Sequence, residues 1–72
     1  MSDHADFAAA QAEWDADFGP DWWYFITVGQ KGRSIALGPL ADAEATTVVR
    51  LPRPARDADV LRAGMAAASA RR

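Results

Sequence analysis

The chain has 72 residues, a formal net charge of −2, no cysteine and a single histidine, His4; this is one small domain near the lower size limit for a self-sufficient core, with no disulfide staple and no metal or other cofactor expected. No apolar run approaches the roughly 18 residues of a membrane span, and the opening "MSDHADF" lacks the basic start and apolar stretch of a signal peptide, which predicts a soluble, cytoplasmic protein. Stability must then come from close packing or from another chain.

Residues 3–18 predict an amphipathic helix. Phe7, Gln11, Trp14 and Phe18 recur at four, three and four residues, so they share one stripe. Six alanines between positions 5 and 16 supply helix propensity, Ser2 or Asp3 can cap the start, and Gly19-Pro20 stops it.

"WWYFITV" (22–28) predicts a strand, "GQKG" (29–32) a turn with both glycines at positive φ, and "RSIAL" (33–37) a returning strand. Along the first strand Trp22, Tyr24, Ile26 and Val28 share one face, and Trp23, Phe25 and Thr27 the other. A sheet covered on one side should alternate apolar and polar residues, and this aromatic run does not. Either helices sandwich the hairpin from both sides, or one aromatic pair stays exposed as an interaction patch.

Gly38-Pro39 breaks the second strand. Residues 41–51 are contested. Asp42-Ala43-Glu44-Ala45 favours a helix, while Thr46, Thr47, Val48 and Val49 favour a third strand over 46–51. The helix is the expectation here. "PRPAR" (52–56) breaks whatever precedes it, and Pro54 suits the first turn of a last helix over about 54–70, whose stripe is Ala58, Leu61, Met65 and Ala68 with Val60 and Ala67 beside it. The expected class is α+β: N-terminal helix, β-hairpin or three-stranded antiparallel meander, short helical segment, C-terminal helix.

The charge is bipolar. Residues 1–45 carry eight acids against Lys31 and Arg33, and residues 46–72 carry six arginines against Asp57 and Asp59. The halves can neutralise each other within the fold or across two chains, or offer separate surfaces to partners. Asp3, Asp6, Glu13 and Asp17 lie beside the aromatic stripe of the first helix, a candidate surface for a basic partner, although such acids also meet arginines or keep a helix soluble. Arg50, Arg53 and Arg56 flank two prolines, a candidate site for phosphates or carboxylates.

Catalytic constellations are missing. The one histidine has no placed nucleophile, and the carboxylates at 15/17 and 57/59 point to different helix faces. "GQKGRS" lacks the spacing and the strand-to-helix setting of a phosphate loop. The sequence therefore predicts no enzyme and no small-molecule substrate. It predicts a protein-binding module, itself a dimer, with Trp22, Trp23, Tyr24 and Phe25 as anchors aligned by Asp6, Glu13 and Asp17 and by Arg50, Arg53 and Arg56. The alternatives are a nucleic-acid binder using the arginine-rich C-terminal half and a structural subunit that self-assembles through its hairpin edge.

The outline "WYFITVGQKGRSIALGPLADAEA", two strands and then Gly-Pro before an expected helix start, is loosely similar to the peptidoglycan-binding SPOR repeat and to the arm-type DNA-binding domain of phage integrases. It covers about a third of the chain. The integrase type implies a basic sheet face, which this aromatic, nearly uncharged hairpin does not offer, and neither family is assigned. Richness in Ala, Arg and Asp suggests a GC-rich bacterial genome or its phage, and a phage-encoded or accessory modulator or inhibitor of a host protein fits a small acidic chain.

Overall fold

The structure, a computed structural model, describes residues 3–71. Its elements are α1 (Asp3–Asp17), β1 (Trp22–Gly29), β2 (Gly32–Pro39), β3 (Thr47–Pro52) and α2 (Asp57–Arg71). The strands form an antiparallel meander in the order β1-β2-β3. The class is α+β, with the helix, sheet, helix order expected.

α1 ends as its Gly-Pro predicts. The amides of Phe18 and Gly19 both donate to the Trp14 carbonyl, at 2.8 and 3.0 Å, which satisfies one end-of-helix oxygen before Pro20 forbids another turn. Gly19 does this without positive φ. The proposed Ser2 cap lies outside the described residues. Asp3 faces Arg56 instead, with its carboxylate 2.9 Å from the guanidinium.

Only one glycine of the hairpin turn needs its special backbone. Gly32 has φ +151, and a Cβ there would lie 2.0 Å from the Leu51 carbonyl oxygen, so any side chain would collide with β3. Gly29 has no positive φ, against expectation.

The helix expected over 41–51 is replaced by turns and then β3. Locally, the Asp42 carboxylate accepts from the Glu44 amide at 3.1 Å, an Asx turn that competes with helix formation. Farther on, β2 offers an open edge, and Thr47–Leu51 pair with Arg33–Leu37 along it. The β-branched run thereby gains a ladder that a short isolated helix could not match. Only two hydrogen-bonded turns, Asp42 to Pro39 and Ala45 to Asp42, remain of the expected helical segment. Gly38-Pro39 therefore precedes turns and not a helix, so the resemblance to the SPOR repeat and the integrase arm-type domain stops at Pro39.

α2 starts three residues later than Pro54. The Arg56 carbonyl accepts the first helical bond, from Val60, and the Asp59 carboxylate reaches back to the Arg56 amide at 3.0 Å. This is the reciprocal half of a capping box, with Asp59 at the third helical position. α2 is the main lid of the sheet. Val60 and Leu61 are fully buried with Ala58, Met65 and Ala68, and Gly64 lets the helix approach β2 closely. A Cβ on Gly64 would stand 2.9 Å from Ile35 Cγ2.

α1 completes the lid through aromatic side chains. Trp14 stacks on Phe18 (ring centroids 4.8 Å apart, planes 9° apart) and meets Tyr24 edge-on at 4.8 Å, while Phe18 meets Trp22 edge-on at 5.1 Å. Such contacts add about 0.5–1.5 kcal/mol each beyond area burial. The Tyr24 hydroxyl donates to the Gln11 side-chain oxygen, and Gln11 donates in turn to Asp15. Among the described residues no buried side-chain polar atom lacks a partner.

Candidate functional site

The core gathers on one side of the sheet. Trp22, Tyr24 and Ile26 of β1, Ile35 and Leu37 of β2, and Val49 and Leu51 of β3 pack with residues from both helices. The strand period then sends the alternate residues to the other side. The pairing register aligns these in rows: Trp23 beside Gly38, then Phe25–Ala36–Val48, then Thr27–Ser34–Arg50, then Gly29–Gly32–Pro52. None of them belongs to the core cluster. Phe25 is 66% exposed and Val48 53%, and Trp23 is half-buried.

The helices therefore do not sandwich the hairpin. The four expected anchors separate, with Trp22 and Tyr24 under α1 and Trp23 and Phe25 on the uncovered face. Val48 and Ala36 complete that patch. The helix expected over 41–51 hid Val48's place, although the run Thr47-Val48-Val49-Arg50-Leu51 already carries the alternation that puts Val48 and Arg50 on one side.

Toward the hairpin turn this face opens into a concavity of about 620 Å³, lined by Thr27, Lys31, Ser34, Arg50 and neighbouring turn residues. The open face as a whole is apolar and aromatic around Trp23, Phe25 and Val48, and hydroxylated and basic at the turn end.

The charges sort into two groups. Part of the bipolar balance cancels within the chain: of the eight acids of residues 1–45, Asp3, Asp6 and Glu13 meet arginines of the second half. Arg56 bridges Asp3 and Asp6 on α1 at 2.9 and 2.8 Å and lies 3.5 Å from Asp59. Arg62 pairs with Glu13, and Arg33 holds Asp57 at 2.7 Å and the Ala55 carbonyl at 2.8 Å. The expected acidic surface on α1 is thus largely engaged, since of Asp6, Glu13 and Asp17 only Asp17 has no ion pair among the described residues. The hydrogen bonds from Asp3, Asp6 and Asp59, in that order, hold the Arg56 guanidinium protonated beyond its already high range. The Arg56 amide and then its guanidinium hold Asp59 below the usual carboxylate range. Burial first, then the charges of Asp15 and Asp57, push the Tyr24 phenol up.

The second group has no ion pairs among the described residues. Lys31, Arg50 and Arg53 sit at the turn end of the sheet; Asp21, Asp42 and Glu44 sit at the opposite end, where β1 begins and β2 connects to β3, with Arg71 of α2 bordering the same hollow as Glu44; Asp15 and Asp17 lie in the last turn of α1. The expected arginine trio is therefore divided, with Arg50 on the open face, Arg53 in the following loop and Arg56 committed to α1. No group of three or more potential metal ligands clusters among the described residues, and no helix in them is long and apolar enough to cross a membrane. Compared with known proteins, the chain matches no family model, no curated protein and no solved structure.

Proposed function

We propose that this chain is a small, non-enzymatic protein-interaction module that binds through the uncovered face of its sheet. Trp23, Phe25 and Val48 are the apolar anchors, and Arg50 and Arg53 are charges at the rim. The observation that carries the reading is Phe25, a large aromatic residue in a regular strand, two-thirds exposed and flanked by Trp23 and Val48. Contiguous apolar surface on a domain this small marks a contact site, and tryptophan is a frequent hot spot. Asp17, which has no ion pair among the described residues, is left to align a basic partner. A modulator or inhibitor of a host protein, acting in the cytoplasm, fits this description.

One observation favours a nucleic-acid partner as a second reading: Arg50 shares the open face with Trp23 and Phe25, so bases could stack there beside a cation. Asp21, Asp42 and Glu44 at the other end oppose a phosphate backbone. Salt separates the two, because phosphate contacts weaken steeply with it and apolar burial does not.

The test is photo-crosslinking in the source cells. A photoreactive phenylalanine analogue replaces Phe25, and the same analogue at Ala66, on the exposed side of α2, is the control. Polypeptide adducts at position 25 with few at position 66 are expected. Nucleic-acid adducts, or equal yields at both positions, would overturn the reading.

A further inference from the structure

We infer that the first occupant of the open face is a second copy of this chain, packed face to face with its strands reversed. This rests on the interaction-face reading above and specifies the partner and its orientation.

The argument starts from where the uncompensated charge lies. Lys31, Arg50 and Arg53 occupy the turn end of the sheet and Asp21, Asp42 and Glu44 the opposite end, where Arg71 of α2 borders the same hollow as Glu44 and leaves a net of two negative charges; none of the six has an ion pair among the described residues. Two-fold symmetry allows two face-to-face arrangements with roughly aligned strands. An axis parallel to the strands stacks acid on acid and base on base. An axis across the strands stacks each basic end on the partner's acidic end, twice over. The charge pattern is self-complementary only in the second, which lays β1 over the β1 of the second copy.

The apolar pattern fits the same axis. The row Phe25–Ala36–Val48 lies near the middle of the strands. Ala36 leaves a dip between two larger side chains, and an axis crossing this row lets Phe25 of each copy meet its counterpart. A single-signed polymer would meet attraction at one end and repulsion at the other.

Three strands and at most eight residues give a face of about 14 by 26 Å at ordinary strand spacing and rise. Two such faces bury roughly 700 Å², in the weak range for specific contacts. A dimer that forms on concentration and dissociates on dilution is expected.

Sedimentation velocity over a concentration series tests this on the full chain, with circular dichroism confirming that each variant folds. Wild type should dimerise, and more weakly at high salt. Arg50→Glu with Arg53→Glu should raise Kd by about tenfold. Asp42→Arg with Glu44→Arg should do the same, and the four changes together should restore dimerisation. Phe25→Thr, which puts a β-branched strand former in place of the ring, should remove it. A chain monomeric at every concentration overturns the second-copy inference and leaves the open face for a different polypeptide. A dimer indifferent to Phe25→Thr and to both charge reversals overturns it too, because the contact then lies elsewhere. A dimer strengthened by salt and unharmed by the reversals overturns the strand-reversed arrangement. Adducts at position 25 with some other polypeptide would still support the broader reading, so the two failures can be told apart.

Discussion

Phe25 and Val48 stand on either side of Ala36 in a single row across the sheet, and both project away from the helices. Both are largely exposed and outside the core, at 66% and 53%. Replacing either by threonine should change the stability of the monomer by no more than about 0.5 kcal/mol. Leu61→Ala, on the buried side, should cost about 2–5 kcal/mol. Urea denaturation at a concentration where the chain is monomeric checks the contrast.

The close approach of α2 to β2 depends on Gly64. Gly64→Ala improves helix propensity by about 0.8–1.0 kcal/mol, yet its Cβ would crowd Ile35 Cγ2 at 2.9 Å. Overpacking of this kind costs about 1–3 kcal/mol, so a net loss is expected. Gly32→Ala should be worse, since the residue has positive φ and its Cβ would meet backbone, not a movable side chain. A loss of about 2–4 kcal/mol is expected, read from the same urea curves.

Stability should fall at both extremes of pH through two named groups. Asp59 is held below its ordinary 3.8, first by the Arg56 amide. Its contribution is therefore present above pH 3.8 and is lost as pH falls through the lower, folded-state value. Tyr24 is raised above its ordinary 10.0, first by burial. Its contribution is full below pH 10.0 and is lost as pH rises through the higher, folded-state value. Thermal midpoints across both ranges should show a shallower acid loss in Asp59→Asn and a shallower alkaline loss in Tyr24→Phe.

Arg56 ties the start of α2 to the start of α1 by holding Asp3 and Asp6. Arg56→Gln should speed amide exchange in the first turns of α1 while leaving the β2 ladder protected. Added salt should produce a milder version of the same pattern in wild type. Uniform acceleration across the chain would mean that Arg56 supports the whole fold.

Much of this was legible in local sequence. The spacing of Trp14 and Phe18 and of Leu61, Met65 and Ala68 marked the buried helix faces, because a period of 3.6 residues requires no knowledge of the neighbours. Period two likewise split Trp22 and Tyr24 from Trp23 and Phe25. Which pair would be covered was not legible, because that depends on the side of the sheet to which the helices fold back. β3 was obscured for a related reason: Asp42 and Glu44 give a local helix signal, and the edge of β2 that captures Thr47–Leu51 is a tertiary fact. The engagement of Arg56 by Asp3 and Asp6, fifty or more residues away in the chain, has no local signature at all.

The most direct test of the uncovered face is hydroxyl-radical footprinting of the wild-type chain, comparing Phe25 with Phe18 by mass spectrometry. Phe25 is 66% exposed and Phe18 3%. In dilute monomer Phe25 should oxidise many times faster than Phe18, and its rate should drop as the dimer or a partner complex forms. Equal protection of the two phenylalanines in a chain that sediments as a monomer would show that the protein covers this face itself, and would contradict the proposed contact surface.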